Sequence, residues 1–192
     1  MRRNEERRAA LVDAAIEVLA GEGARGLTFR AVDAEAGVPV GTASNYFKNR
    51  DDLLVQVAER FYERLRPDAA TLERPRHGTR DVAMIKELMR ETVGRVSSFR
   101  SGYLALLELR LEATRRPGLR AVLTERIRAD LDFNIGYHLD SGLPGDADTV
   151  RLLYLALNWL ILETLTLPDI FSEDDVQRLI GEAVERALPR QG

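Results

Sequence analysis

The sequence predicts an all-α protein of about nine helices, and three observations support this fold class. Apolar residues recur at helical spacing along nearly the whole chain, and no segment combines sustained two-residue alternation with β-branched enrichment. Glycines and prolines divide this pattern into segments of ordinary helical length. The 192 residues are 45% hydrophobic, which is enough to bury a sizeable core.

Four helices are predicted in the first third of the chain. They run from about Asn4 to Ala20, from Thr28 to the closing Gly37, from Val40 to Phe47 and from Asp51 to Arg66. Gly21 and Gly23 end the first helix, because glycine disfavours its continuation. Thr28 and Asn49 precede the second and fourth helices as caps, since their side-chain oxygens can accept from a first-turn amide. Pro39 can open the third helix, where its missing N–H would have no partner.

Five further helices are predicted beyond a linker. The linker is the segment 68–78, which contains Pro75 and ends on Gly78. The apolar stripes that follow place helices at about residues 82–96, 104–111, 118–139, 146–167 and 171–188. Ser172 and Asp175 form a capping-box-like pair at the start of the last helix. We place the domain boundary after residue 50, so that the domains are residues 1–50 and 51–192, with helix 51–66 as the connector.

Residues 28–54 have the organisation of a helix-turn-helix. A helix, a glycine-containing turn and a short second helix follow one another, and alanines permit a close crossing of the two helices. In such a unit the second helix enters the DNA major groove. Short polar side chains on that helix suit base edges or phosphates, and the polar residues at its end suit phosphate oxygens. These residues are Thr42, Ser44, Asn45, Tyr46 and Lys48.

This segment resembles the DNA-binding domain of the TetR family of bacterial transcriptional regulators. The family pattern has a capping threonine, a following aromatic residue, a glycine turn, Gly-Thr in the recognition helix, Tyr-Phe at its end and a charged start to the next helix. The matching residues are Thr28, Phe29, Gly37, Gly41, Thr42, Tyr46, Phe47, Lys48 and Asp51. The resemblance implies an amino-terminal three-helix helix-turn-helix domain, joined by a long helix to a larger helical domain for ligand binding and dimerisation.

The resemblance also implies which residues contact DNA. By it, Thr28, Thr42, Tyr46 and Lys48 would contact the DNA backbone. The full set of expected DNA-binding residues is Thr28, Arg30, Val40, Gly41, Thr42, Ser44, Asn45, Tyr46 and Lys48.

The recognition helix departs from the family pattern at three positions. Pro39 and Val40 stand where many relatives have a serine and a polar or basic residue, and Ser44 stands where an aromatic residue is common. Specific base contacts therefore cannot be carried over from relatives. The methyl groups of Val40 and Ala43 are candidates for contact with thymine methyl groups.

By the same resemblance, the carboxy-terminal domain binds an effector and dimerises. The last two helices are apolar nearly all round, with more apolar residues than the core of one small domain needs. A four-helix interface between two copies would bury the additional ones. The residues concerned are Leu152, Leu153, Leu155, Leu157, Leu160, Ile161 and Leu165. The alternative is that all of them pack inside a monomer. A homodimer fits better a protein that spans two DNA half-sites about 34 Å apart.

Polar and aromatic residues within apolar helical faces are candidates for the effector pocket. They are Tyr103, Arg110, Asn134, Tyr137, His138, Asn158, Trp159 and Glu163. Each of them alone is more often a satisfied core or interface residue than a ligand contact, so both interpretations stay open.

Composition and motifs exclude several chemical classes. The chain has no cysteine, and its two histidines, His77 and His138, are too few for a structural zinc site. There is no serine–histidine–aspartate spacing and no phosphate-cradling glycine loop. We therefore expect no catalytic residue, no metal, no cofactor and no enzymatic activity.

The charge distribution sets the amino-terminal domain apart. The net charge is −3, but residues 1–50 hold 8 basic and 7 acidic residues, against 20 and 24 in the rest of the chain. Residues 1–50 are therefore the only part of the chain whose net charge does not repel a polyanion.

The charged amino terminus has no signal-peptide core, and the apolar stretch 152–162 is too short to span a bilayer, so we expect a cytoplasmic protein without a membrane partner. Arginines interleaved with glutamates near the amino terminus predict a solvated helix face. They are Arg2, Arg3, Arg7 and Arg8.

The function that these expectations favour is ligand-responsive regulation of transcription. The resemblance implies a repressor that binds a palindromic, double-stranded DNA operator as a homodimer and is released by a small-molecule effector. The alternative is a helical module that binds a protein or membrane surface through its last helices, without DNA binding.

Overall fold

The computed structural model describes residues 2–189, apart from the side chains of residues 2, 3, 76 and 77. The expectations for the side chains of Arg2, Arg3 and His77 therefore lie outside the described part. Over the described residues the fold is all-α, as predicted, with ten helices. They are α1 (Arg2–Gly26), α2 (Phe29–Glu35), α3 (Thr42–Tyr46), α4 (Arg50–Arg64), α5 (Ala69–His77), α6 (Val82–Ser98), α7 (Arg100–Ala113), α8 (Pro117–Asp140), α9 (Ala147–Thr166) and α10 (Glu173–Ala187).

The helix beyond the nine that were predicted is α5, which occupies the segment expected as a linker. Asp68 caps it by accepting from the Thr71 amide at 2.7 Å, and the Gly78 amide donates to the Arg74 carbonyl at 2.9 Å. Pro75 lies inside this helix, although proline usually disfavours that position. The prediction was wrong because it gave more weight to the proline and the glycine than to the capping aspartate.

Two other helix ends are set by glycines in the left-handed region. Helix α1 extends to Gly26 rather than ending near residue 20, but its backbone breaks at Gly23, where φ is 69°. Helix α3 begins at Thr42 rather than Val40, because Gly41 before it has φ 94°. The predicted caps are confirmed, since Thr28, Asn49 and Ser172 each accept from an amide three residues further on.

The described chain divides into two compact units. The first consists of the chain up to Arg66 together with Phe99–Arg126. Within it, α7 lies along α1 and also contacts α4, while α1 contacts α2 and α4. Its core is built from fully buried side chains of these helices. They include Leu11, Ile16, Leu19, Leu53, Leu54, Val57 and Leu109. The helix-turn-helix segment is therefore part of a unit whose core includes residues far from it in the sequence.

The second unit consists of Pro67–Ser98 and the chain from Ile127 onward. Helix α10 packs against α6 and α9, and α6 also contacts α9. Their shared core is Met84, Ile85, Leu88, Leu143, Leu153 and Val184. Helix α9 starts with a capping box in which Asp146 and Thr149 bond reciprocally to each other's backbone amides.

Two features are absent from the described residues. None of the ten helices there combines the length and the apolar character needed to cross a bilayer. Nor does that part of the chain hold three or more histidine, aspartate or glutamate side chains grouped so that they could bind a metal ion.

Candidate nucleic-acid interface

The turn between α2 and α3 depends on two glycines with positive φ. Gly37 ends α2 with φ 63°, and Gly41 precedes α3 with φ 94°. A Cβ atom at either position would meet no neighbouring atom within 4 Å. Glycine is therefore required at both positions by the backbone conformation and not by a lack of room for a Cβ atom, since the left-handed region is energetically unfavourable for other residues.

A buried carboxylate fixes the start of α3. Asp33 on α2 is 1% exposed, and its two oxygens accept from the amides of Gly41 and Ala43, both at 2.7 Å. These two hydrogen bonds join α2 to the start of α3 and so help to set how the two helices cross. Our sequence reasoning missed Asp33. The signal for it was Gly41, which precedes α3 and has no side chain, so that an acceptor for the first amides of this helix has to come from elsewhere.

The polar side chains of α3 fold back onto its own amino-terminal backbone. The Thr42 hydroxyl donates to the Pro39 carbonyl at 2.6 Å, and the Ser44 hydroxyl donates to the Gly41 carbonyl at 2.8 Å. The Asn45 side-chain nitrogen also donates to the Gly41 carbonyl, at 3.1 Å. Ser44 and Asn45 are exposed, whereas Thr42 is half-buried.

The two apolar residues proposed to meet thymine differ in exposure. Val40 is 78% exposed in the turn before α3. Ala43 is 0% exposed, because it faces α2. The expectation that the Ala43 methyl group could contact DNA is therefore wrong, and Val40 alone offers an exposed apolar contact.

The carboxy-terminal end of α3 is held by an arginine from α1. Arg8 donates to the Tyr46 carbonyl and to the Gln56 side-chain oxygen, each at 2.8 Å. Its guanidinium also lies over the rings of Tyr46 and Phe47, 5.9 and 5.5 Å from their centroids. Arg8 is exposed, but it is a specific link between α1, α3 and α4 rather than part of a merely solvated face.

The residues after α3 are tied to the first turn of α4. Asp52 accepts from the Lys48 amide at 2.9 Å, while its own amide donates to the side chain of Asn49. Burial alone would raise the pKa of Asp52. The bonds from the Lys48 amide and from Gln56, together with the charges of Arg8 and Lys48, nevertheless hold this pKa below its usual value. Asp52 thus stays ionised, and the exposed Lys48 ammonium is presented from a fixed backbone.

The expected backbone-contact residues on α2 are also exposed. Thr28 and Arg30 both lie at the start of this helix. The Thr28 oxygen accepts from the Ala31 amide at 3.1 Å, so its hydroxyl proton is still available to donate. A phosphate oxygen is a pure acceptor and matches both groups.

The eight candidate effector residues are divided between the two units. Tyr103, which is buried, and Arg110, which is exposed, lie on α7 of the first unit. The other six belong to the second unit, and four of them bond to backbone carbonyls close by in the sequence or on α5. Asn134 bonds to Asp130, Tyr137 to Thr71, His138 to Pro144 and Asn158 to Tyr154.

Trp159 and Glu163 are the two candidates that border a common groove. It lies between α9 and α10, has a volume of about 510 Å³, and is also lined by Glu182, Arg186 and several apolar side chains. Arg186 and Glu182 form an ion pair at 2.9 Å. Glu182 also pairs with Arg178 at 3.1 Å, so the groove combines one indole ring with Glu163 and with a carboxylate whose charge two arginines oppose.

Helix α9 also carries an exposed apolar stripe. Five of the seven apolar residues singled out on this helix are buried, and the other two, Leu152 and Leu155, are exposed. Leu155 and Trp159 are each 64% exposed, and with Leu152 they recur at helical spacing along one face. Three large apolar side chains on one helix face are typical of an interaction surface.

Two family models match the sequence. The model described as "Bacterial regulatory proteins, tetR family" matches residues 11–57, which contain the helix-turn-helix. The model described as "Tetracyclin repressor-like, C-terminal domain" matches residues 80–190, which is more than half of the chain.

Solved structures of similar fold cover nearly all of the chain. The multidrug binding protein EbrR, crystallised with imidazole, is 29% identical, with a TM-score of 0.65 and coverage of 97% of each chain. A member of the TetR family from Streptomyces coelicolor A3 is 30% identical, with a TM-score of 0.69 and coverage of 96% of this chain and 99% of its own. A putative TetR-family regulator from Mesorhizobium loti shares the fold at 16% identity, with a TM-score of 0.79 and coverage of 96% of each chain.

A curated relative matches a shorter region. It is an uncharacterized HTH-type transcriptional regulator in the dhlA 5' region of Xanthobacter autotrophicus, 34% identical over 84 residues. The match spans 44% of this chain and 42% of that protein, so the similarity covers less than half of the relative's length.

Proposed function

Because this chain belongs to the TetR family of bacterial transcriptional regulators, we propose that it is a repressor that binds a palindromic operator as a homodimer and leaves it when a small-molecule effector binds. In this proposal residues 1–50 bind DNA, residues 51–192 bind the effector and dimerise, and helix 51–66 connects the two functions. The protein acts in the cytoplasm, where bacterial DNA lies. The observation that carries the proposal is the α2–turn–α3 unit joined by Asp33, whose exposed face offers polar and basic side chains.

The proposed backbone contacts are supported by the donors that this unit keeps available. The Thr28 hydroxyl proton and the exposed Lys48 ammonium suit phosphate oxygens, and Tyr46 is positioned by Arg8. Thr42 is different, because its hydroxyl and its amide both donate to the Pro39 carbonyl. A phosphate contact from Thr42 would require it to give up one of these bonds.

Dimerisation is supported by the apolar stripe on α9. Leu152, Leu155 and Trp159 expose large apolar side chains that a second copy of α9 and α10 would cover. A two-fold dimer then presents two α3 helices to two half-sites about one turn of DNA apart, and operator palindromy follows from that symmetry.

Effector binding is supported by the groove between α9 and α10. An indole face attracts cations, and Glu163 supplies negative charge beside it. These features favour a flat organic cation. Trp159 also lies on the apolar stripe, so a ligand in the groove would touch a side chain that the second copy covers. A ligand that binds one arrangement of the dimer more tightly than the other would shift the equilibrium between the two arrangements. The size of the shift is set by the difference between its two binding free energies, and it changes the fraction of dimers that fit the operator.

DNA binding is tested by fluorescence anisotropy with labelled duplexes from the region upstream of the gene, at several salt concentrations. We expect saturable, sequence-dependent binding that weakens with salt. Lys48→Ala should weaken binding to all sequences. It should also make the plot of log binding constant against log salt concentration less steep, by about one per protomer. Lys86→Ala is the matched control, because it makes the same charge change on α6, where Lys86 pairs with Glu185. The absence of sequence-dependent binding in any ligand state would refute the proposal.

Effector binding is tested without DNA, using ethidium as the probe. We expect its emission to rise on binding wild-type protein and to rise less with Glu163→Gln, which removes one negative charge from the groove. Glu125→Gln, at an exposed position of α8, is the control. An equal response from all three proteins would show that the groove is not the binding site for this cation.

A further inference from the structure

Gln56, a half-buried residue of α4, bonds to a different charged side chain with each end of its amide. Its oxygen Oε1 accepts from the guanidinium of Arg8 on α1 at 2.8 Å. Its nitrogen Nε2 donates to the Asp52 carboxylate at 2.9 Å. A guanidinium can only donate and an ionised carboxylate can only accept, so a side chain that joins them must do both, as the amide of glutamine does.

These bonds belong to a closed circuit around the residues at the end of α3. The other oxygen of the Asp52 carboxylate accepts from the Lys48 amide at 2.9 Å, and Arg8 donates to the Tyr46 carbonyl at 2.8 Å. The chain itself joins Tyr46 to Lys48 through Phe47. With the amide between Arg8 and Asp52 the circuit is complete, and both ends of this short segment are held.

The segment inside the circuit carries two of the proposed phosphate contacts, Tyr46 and Lys48. A contact group on a fixed backbone loses less conformational freedom when DNA binds, so more of its interaction energy appears as affinity. We propose that Gln56 is a positioning residue for DNA binding, because it closes the circuit that holds these two contacts in place. This rests on the proposed function, since it requires Tyr46 and Lys48 to contact DNA.

Within this circuit Arg8 acts through its shape as well as its charge. Its nitrogens Nη1 and Nη2 bond to Gln56 and to the Tyr46 carbonyl at the same time. The planar fork of a guanidinium allows this, whereas lysine has a single nitrogen at the end of its chain. The Arg8 guanidinium also lies over the rings of Tyr46 and Phe47. Arg8→Lys therefore opens the circuit while the charge stays the same.

The first test measures affinity by anisotropy, using the full-length protein and the duplex that wild type binds most tightly. Gln56→Leu removes both bonds of the amide without a change in charge. Affinity should fall about threefold to tenfold, as expected when interactions worth one hydrogen bond are lost. Gln177→Leu is the matched control, because it makes the same substitution at an exposed position of α10 that does not line the groove. It should bind like wild type.

A second pair of variants examines the arginine at constant charge. Arg8→Lys should weaken binding about as much as Gln56→Leu does, and the two changes together should weaken it little further, because either one opens the same circuit. Arg7→Lys, at the neighbouring exposed position of α1, should bind like wild type.

A third measurement separates positioning from a general loss of stability. In a protein that already carries Tyr46→Phe and Lys48→Ala, the contacts that the circuit holds are gone. Adding Gln56→Leu to this background should therefore change affinity by less than about twofold, whereas a general defect would lower affinity by the same factor in both backgrounds. Without DNA, hydrogen exchange at the Lys48 amide should be faster in Gln56→Leu than in wild type, because the Asp52 carboxylate that it bonds has lost its own support.

The outcomes distinguish this proposal from the proposed function. If wild type binds DNA selectively but Gln56→Leu binds as tightly, or loses the same factor in both backgrounds, Gln56 does not position the contacts and the regulator still stands. Wild-type affinity in Arg8→Lys, or unchanged exchange at the Lys48 amide in Gln56→Leu, would likewise overturn the circuit. If wild type shows no sequence-dependent binding, the proposed function fails and this proposal fails with it.

Discussion

Thr28 combines two functions that a single substitution can separate. Its oxygen caps α2, and its hydroxyl proton is available to a phosphate. Thr28→Asp keeps a good cap but removes the donor and adds a negative charge. We expect unfolding free energy to change by less than about 0.5 kcal/mol, since aspartate is as good a cap as threonine. Operator affinity should fall by at least about tenfold, because a charge-assisted contact is replaced by repulsion.

The control for this prediction is Thr28→Ser, which keeps both the cap and the hydroxyl. Urea denaturation and anisotropy on the same samples give the two readouts. If Thr28→Asp bound operator as tightly as Thr28→Ser does, Thr28 would be a helix cap only.

His138 makes the stability of the second unit depend on pH. Burial lowers the pKa of His138 below its usual value, against the smaller opposing effects of the Pro144 carbonyl, 2.9 Å from Nε2, and of Asp146. The unfolded chain therefore binds this proton more readily than the folded one. The stabilising contribution is complete above the unfolded pKa of about 6.5 and is lost as the pH falls through the folded pKa.

This pH effect is measurable with one variant. Between pH 7.5 and pH 5, the wild type should lose more unfolding free energy in urea than His138→Gln does, since glutamine stays neutral and keeps a donor. His77→Gln provides the control for the other histidine. Parallel losses in wild type and His138→Gln would show that this histidine titrates alike in both states.

At the scale of elements, the sequence predicts helices better than their ends and their mutual contacts. The caps at Thr28, Asn49 and Ser172 were predictable because capping depends on residues three apart. The start of α3 was not, because it depends on Gly41 and on Asp33, whose carboxylate reaches back from another helix. Periodicity carries no information about contacts of that kind.

The link between α1 and α7 is a second contact that spans distant positions in the sequence. At the break in α1, the Ala24 amide donates to the Glu108 carboxylate at 2.9 Å, and the Ala24 carbonyl accepts from Arg50 of α4. Glu108→Ala would leave this part-buried amide without an acceptor. We expect a loss of about 1–3 kcal/mol of unfolding free energy, as for other unsatisfied amides.

Two measurements examine this link. Urea denaturation gives the loss of stability, and hydrogen exchange should show faster exchange at the Ala24 amide. Glu125→Ala, an exposed position on α8 in the same unit, should change neither. Unchanged exchange at Ala24 in the Glu108 variant would mean that the carboxylate does not hold the end of α1.

At the scale of the whole molecule, the fold class and the family followed from the sequence, whereas the grouping of candidate effector residues around one groove did not. The helix-turn-helix was predictable because turn glycines, caps and apolar spacing lie within one short segment. The groove was not, because Trp159 and Glu182 come from different helices, and polar residues such as Asn158 look alike in sequence whether they bind a ligand or a nearby carbonyl.

The proposed dimer gives a prediction that involves the whole molecule. Leu155→Glu places a charge on the exposed apolar stripe of α9 without removing a core residue. In the dimer this charge would be buried without a partner, so association should fail. We expect a monomer by light scattering. Affinity for a palindromic operator should fall by about a hundredfold or more, because linked binding to two half-sites is lost.

Leu111→Glu is the matched control, because Leu111 is an exposed leucine on α7 and receives the same charge. It should remain a dimer with wild-type affinity. Far-ultraviolet circular dichroism should show equal helix content in both variants. A Leu155→Glu protein that is still dimeric would exclude the α9 stripe as the contact between copies. A monomer that still bound the palindrome tightly would instead show that one copy suffices, and would refute the coupling between dimerisation and operator recognition.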